Sequence, residues 1–218
     1  GSEMCIRDRH YVDGKNHIIT SMVEHKATLN TCKYLNGEIY SNNDPTFSLD
    51  EKSRKVDRGY SASFIPVSEF GEVLPETVKK AIRPETAMVS IIHVNNEVGT
   101  INDIAAIASL CHENGIVFHS DITQSVGKMQ IDVKKMGIDY ASCSAHKLYG
   151  PKGVGAAYLL SDDYGISPLT AFMHGGEQEF GFRAGTLAVH NIVGFGKAAE
   201  IAIRDLQTTQ KKILELDR

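Results

Sequence analysis

Lys147 stands in the run Ser142-Cys143-Ser144-Ala145-His146-Lys147-Leu148-Tyr149-Gly150-Pro151-Lys152-Gly153-Val154-Gly155, a lysine just past a strand-like segment among hydroxyls and an imidazole. Partial burial beside other cations lowers an ammonium's pKa and makes the amine a Schiff-base nucleophile. Read alone, the same lysine also fits a solvated Gly/Pro loop. Asp121, in His119-Ser120-Asp121-Ile122-Thr123-Gln124-Ser125, ends another strand-like run. A carboxylate there can keep a pyridinium nitrogen protonated, or it can cap a following helix. A third such run ends in His93-Val94-Asn95-Asn96-Glu97-Val98-Gly99, whose amides could bind a ring hydroxyl or satisfy a turn.

Other constellations carry less. His174 near Glu177 and His119 near Asp121 lack a third partner at ligand spacing, so no metal site is expected. Gly150 to Gly155 resembles a phosphate cradle but lacks the Lys-Ser or Lys-Thr of a Walker motif. Lys134-Lys135 and Lys211-Lys212 read as solvated helix faces.

The candidate residues need a frame that brings strand ends together. The pattern predicts strands over Ile18–Val23, Ser61–Val67, Met88–Val94, Ile116–His119, Tyr140–Ser144 and Gly155–Leu160. Helices are predicted over Lys26–Leu35, from Pro75 with Val78, Ala81 and Ile82 inward, and from an Asp103 cap with Ile104, Ile107, Ala108 and Cys111 inward to a stop at Gly115. A short helical turn is predicted near Val133–Met136. A long helix over Asn191–Arg218 would carry Ile192, Phe195, Ala199 and Ile203 on its inward face. Residues 36–57, with Asn42-Asn43-Asp44-Pro45 and a charged cluster, read as a solvated insertion. Strand–helix alternation implies right-handed crossovers and an α/β fold, a mostly parallel sheet flanked by helices. Ligands in such sheets sit beyond the carboxyl ends of the strands.

Five motifs now stand in order: Glu24-His25-Lys26, Asn95-Asn96-Glu97-Val98-Gly99, Asp121-Ile122-Thr123-Gln124-Ser125, Ser144-Ala145-His146-Lys147 and Arg183-Ala184-Gly185-Thr186. Together they resemble the cysteine desulfurases, in the class V aminotransferase group of fold-type I pyridoxal phosphate enzymes. The resemblance runs from about His17 to Arg218 apart from the insertion. It implies the large domain of that fold type, with pyridoxal 5′-phosphate as cofactor and Lys147 as its imine-forming amine. Asp121 would pair with the pyridine nitrogen, and His25 would stack on the ring and help move protons. Asn96 and Gln124 would meet the ring's 3-hydroxyl side, and Ser144 and His146 the phosphate. Thr186 would reach the phosphate of the neighbouring subunit, which implies a homodimer.

The implied reaction takes L-cysteine to L-alanine plus an enzyme-bound persulfide. Its sulfur would pass to a scaffold acceptor protein for iron–sulfur clusters, or to transfer-RNA thiolation. Selenocysteine lyase shares these motifs and stays open as an alternative. The family's nucleophilic cysteine on a mobile loop, its C-terminal arginine and its N-terminal phosphate loop have no counterpart here. The expectation is therefore a tag or assembly artefact over residues 1–9, then a cofactor-binding large domain over 10–218, cut at both ends and without the small domain. Such a chain would be inactive alone. The second alternative is a catalytically silent fragment acting only through dimerisation.

Composition agrees with a folded chain. The 218 residues (23.9 kDa) are 42% hydrophobic and 23% charged, enough to bury a core. A net charge of −4 and a pI near 6.1 argue against nucleic-acid coating or a polybasic membrane anchor. Mean hydropathy is −0.19, and no apolar run approaches the roughly 20 residues of a membrane-spanning helix. Four cysteines at 5, 32, 111 and 143 have neither zinc-site spacing nor disulfide density, which predicts a reducing cytoplasm.

Overall fold

The computed structural model describes residues 14–38, 56–161, 167 and 169–216. Six strands, β1 (His17–Ser21), β2 (Ser61–Ile65), β3 (Thr86–Ser90), β4 (Val117–Asp121), β5 (Tyr140–Ser144) and β6 (Gly155–Leu159), form one sheet in the order β2-β1-β3-β4-β5-β6. The first five are parallel and β6 runs antiparallel to β5. The expected α/β architecture is therefore what forms.

Alternation along each strand sends side chains to two cores. On one face Ile19, Val89 and Phe118 meet α2 (Pro75–Ala81) and α3 (Ile104–Glu113) through Val78, Ile104, Ile107 and Cys111. On the other, Ile18, Met88, Val117 and Tyr140 meet α1 (Lys26–Leu35) through Cys32 and Leu35. Each helix starts where its sequence directs. Asp103 accepts the Ala106 N–H at 3.1 Å, Pro75 opens α2, and His25 caps α1 by accepting the Ala27 N–H at Nδ1, 3.2 Å.

Several boundaries differ from the sequence reading, for a shared reason. β1 ends at Ser21 rather than Val23, and β3 at Ser90 rather than Val94. Beyond those points polar side chains take the carbonyls that a ladder would use: Asn95 Nδ2 donates to Val23 C=O (2.8 Å), Ser120 Oγ to Ile91 C=O (2.9 Å) and Asn102 Nδ2 to Ile92 C=O (2.8 Å). The strand ends are thus rebuilt as hydrogen-bonded loops, as a site at that edge requires. Val133–Met136 is a turn rather than a helix, closed by Met136 N–H to Asp132 C=O. Residues 1–13 and 39–55, which include the predicted artefact and most of the predicted insertion, lie outside the described residues. The insertion's ends meet, with Val56 N–H donating to Gly37 C=O at 3.4 Å.

The long helix α4 (Val189–Leu216) forms, but not on the expected stripe. Ile192 and Ile203 are exposed, and only Phe195 and Ala199 of that stripe are half-buried. Contact runs instead along Gly194, Ala198 and Ala202, four residues apart. A Cβ at Gly194 would lie 2.6 Å from Pro151, one at Gly150 3.2 Å from the Ala198 Cβ, and one at Gly127 3.0 Å from the Ala202 Cβ. The helix lies so close to the loop after β5 that only small residues fit, so size rather than hydrophobicity selects its inner ridge.

Candidate functional site

The described loops that follow the carboxyl ends of β1, β3, β4 and β5 carry the candidate residues side by side, in the order of the strands in the sheet. Glu24 and His25 follow β1, Asn95 and Asn96 follow β3, Asp121 ends β4 with Gln124 in the next turn, and Ser144 ends β5. His146 and Lys147 lie in the 3-10 turn Ala145–Leu148 directly after it. Asp121 pairs in register with Ser142, two residues before Ser144, so both strand ends share one face.

That face changes character along its length. Near the amino ends it shows Ile18, Met88, Val117 and Tyr140; two residues on, it shows Thr20, Ser90, His119 and Ser142, and then Asp121 and Ser144. His119 is fully buried and bridges three strands. Its Nδ1 lies 2.8 Å from Ser90 Oγ and its Nε2 3.4 Å from Ser142 Oγ. Burial pushes this imidazole down to about 4, against the opposing pull of Asp121, so it is neutral at pH 7. It forms an uncharged polar floor beneath Asp121. Sequence reasoning missed Thr20, Ser90, His119 and Ser142 as a set. The signal was present as period-2 positions that turn from apolar to polar at the same end of four strands.

Asp121 is buried, and one of its carboxylate oxygens accepts the Thr123 N–H at 2.9 Å. Asn95 is spent on structure, donating to Val23 and accepting from Glu97 and Val98 N–H groups, whereas its neighbour Asn96 bonds only locally, to Glu97. Gln124 Oε1 accepts from Lys128 Nζ at 2.9 Å. Burial and then the positive charge of Lys147 hold Lys128 below its ordinary pKa, which places the two ammonium groups within each other's field. Past Lys147 the chain turns sharply. Tyr149 adopts φ +62°, uncommon for an aromatic residue, and Gly150 N–H closes on Ala145 C=O at 3.0 Å. His25 accepts at Nδ1, so in its neutral form the ring proton sits on Nε2 and faces outward as a donor.

Thr186 is exposed, in the loop before α4, and no hydrogen bond among the described residues links it to the other candidates. A groove of about 570 Å³ on the outer side of α1, lined by Lys26, Asn30, Tyr34 and Phe172, holds none of the site residues. Among the described residues no three His, Cys, Asp or Glu side chains could hold a metal, and no helix is long and apolar enough to cross a membrane.

The set suits a phosphorylated pyridine aldehyde: a lysine amine beside a second cation, a buried carboxylate one strand away, hydroxyls at a strand end, and an imidazole donor on the adjoining loop. Comparison with known proteins agrees. Residues 51–218 match the family Aminotransferase class-V. The protein Cysteine desulfurase IscS of Pseudomonas aeruginosa (strain UCBPP-PA14) is 42% identical over 208 residues, 95% of this chain and 46% of that protein. The chain thus spans a little under half the length of that relative. Among solved structures, "SspA in complex with cysteine" is 38% identical with a TM-score of 0.77, covering 91% of this chain and 52% of that one. DndA from Streptomyces lividans is 31% identical with a TM-score of 0.78, covering 95% and 54%.

Proposed function

The chain belongs to the class-V aminotransferase family, among relatives that are cysteine desulfurases, and from that premise we propose that it is the pyridoxal 5′-phosphate-binding part of an enzyme that removes sulfur from L-cysteine. The observation that carries this reading is the convergence of Lys147, Asp121, Ser144 and His25 at adjoining strand ends above a neutral polar floor. The chemistry supplied by the cofactor when bound is that of an electron sink, which stabilises charge developing on an amino acid joined to it.

The chain's own residues divide the rest of the work. Lys147 would offer the amine that anchors the cofactor. Asp121, a buried carboxylate, would accept a hydrogen bond from the pyridine nitrogen and hold its proton in place. Ser144 and His146 would hold the phosphate, and Asn96 and Gln124 the ring hydroxyl. His25, whose Nδ1 is taken by the Ala27 N–H, would move a proton through Nε2. Thr186, which is exposed, would complete the phosphate site of a second subunit in a homodimer.

Desulfuration gives L-alanine and leaves sulfur on a cysteine thiolate as a persulfide, destined for an acceptor scaffold in iron–sulfur cluster assembly or for transfer-RNA thiolation in the cytoplasm. No described cysteine suits that role. Cys32 and Cys111 are fully buried with thiols pushed up to about 12 by burial, and Cys143 on β5 is raised by the same cause. The thiol that would carry the persulfide is therefore not among the described cysteines. Selenocysteine would enter the same site, so the two substrates are separated by assay rather than by these residues.

The test is an absorbance spectrum with pyridoxal phosphate, followed by borohydride trapping and peptide mapping. Wild type should give a band and a reduced adduct at Lys147, and Lys147→Ala neither. A folded wild-type chain without a Lys147 adduct would overturn the proposal.

A further inference from the structure

Glu24 has no part in the chemistry above, yet its side chain is only 6% exposed. Its Oε1 accepts two hydrogen bonds, from Ser21 Oγ at 2.6 Å and from Ile92 N–H at 3.1 Å. Its Oε2 meets no hydrogen-bond partner among the described residues. One carboxyl group therefore joins the end of β1, the turn that leads into His25, and the segment that follows β3. Asn95 laces the same two segments from the other direction, through Val23 C=O. His25 follows Glu24 directly and starts α1.

We propose that Glu24 is a positioning residue: its carboxyl group clamps the turn carrying His25 to the Ile92–Asn96 segment, and so fixes the imidazole relative to Asp121. The clamp works protonated. Burial pushes Glu24 up to about 8, and the negative charge of Asp121 adds to that, while the Ser21 and Ile92 bonds oppose it. Both bonds fall on Oε1, so the proton belongs on Oε2, where an anion would stand buried and unpaired. Among the described residues the titratable groups facing Glu24 are Asp121 from β4 and Cys32 from α1. The Cys32 thiol, pushed up to about 12, stays neutral throughout. Neither Ser21 nor Ile92 brings a charge from the remaining two segments. Losing the proton would leave a second negative charge buried near Asp121, a cost that the Ser21 and Ile92 bonds to Oε1 offset only in part. What this means for cofactor chemistry rests on the proposed function: a neutral Glu24 adds no second negative charge beside the Asp121 carboxylate that would face the pyridinium.

The test compares wild type, Glu24→Gln and Glu24→Ala from pH 5 to 9.5 by the ring resonances of His25 in NMR and by urea midpoints. Gln is uncharged and keeps the acceptor oxygen, so it mimics the protonated acid. In wild type the His25 resonances should pass through a step near pH 8 that Glu24→Gln lacks, and at pH 6 the two should coincide. The readout is the difference between the two proteins at each pH. The midpoint of wild type should fall relative to that of Glu24→Gln as pH rises toward 8. Glu24→Ala should displace or broaden the His25 signals at pH 6. A step that persists in Glu24→Gln, a Gln variant displaced from wild type at pH 6, or an Ala variant with unaltered His25 signals would each overturn the inference. Neither readout uses the cofactor, so a chain that failed to bind pyridoxal phosphate would sink the proposed function and leave this inference to its own result.

Discussion

Gly155 shows how one missing side chain can hold a catalytic strand in place. It pairs with Ser144 across β5 and β6, and a Cβ there would stand 2.5 Å from the Cys143 carbonyl oxygen, a backbone atom that cannot swing aside. Gly155→Ala must therefore part the two strands just where Ser144 meets the phosphate in the proposed site. Overpacking of this kind costs about 1–3 kcal/mol. A lower urea midpoint and weaker retention of pyridoxal phosphate are expected together, and an unchanged midpoint would mean that β6 yields freely. At this scale neither Lys147 nor Asp121 was decisive alone, since such a lysine also fits a solvated loop and such an aspartate a helix cap; the order of the five motifs singled them out. Sequence reasoning gave Glu24 no role of its own and His119 only a weak reading as a metal ligand, because their importance comes from burial and from partners that are distant in the chain, Ile92 for one and Ser90 and Ser142 for the other.

Among the elements, α4 is the clearest case of packing overriding pattern. The sequence offered an apolar stripe at helical spacing, and the fold used the ridge of Gly194, Ala198 and Ala202 because the loop carrying Lys147 comes too near for anything larger. Ala198→Leu should cost about 1–3 kcal/mol by forcing the helix off Gly150. Ile203→Gln, at a side chain 73% exposed, should change stability by no more than about 0.5 kcal/mol. Urea denaturation of the two variants decides the matter, and the reverse ranking would restore the apolar stripe as the docked face. α3 behaved as its sequence promised, burying Ile104, Ile107, Ala108 and Cys111 behind its Asp103 cap, whereas α1 buries Thr28 with Cys32 and Leu35 and leaves Ala27 exposed. Strand ends were less legible. β1 and β3 stop early because Asn95, Ser120 and Asn102 claim backbone carbonyls, an arrangement made by tertiary contact and invisible to local periodicity.

For the whole molecule, burial of a few titratable groups fixes a pH of greatest stability. His17, bonded to Thr86 and Ser63 Oγ atoms, and His119 are both pushed down to about 4, chiefly by burial. Each binds a proton in the unfolded chain but not in the folded one between about pH 4 and 6.5, so each adds stability that is lost as pH falls through that window. His93 is lowered by burial in the same direction. Glu24 has the opposite sign. Raised from 4.5 to about 8, it holds a proton in the folded chain that the unfolded chain has released, so its contribution is lost as pH rises through that range. Between about 4.5 and 6.5 the lowered histidines, His17, His119 and His93, outnumber the one raised acid, so stability should climb with pH. From 6.5 to 8 Glu24 acts alone among these groups, and stability should fall before levelling. Urea midpoints measured across pH 4.5 to 9 should therefore peak near 6.5 in wild type. In Glu24→Gln the descending limb should vanish while the ascending one steepens, and a peak that stays in place in that variant would show that groups other than Glu24 set the alkaline side.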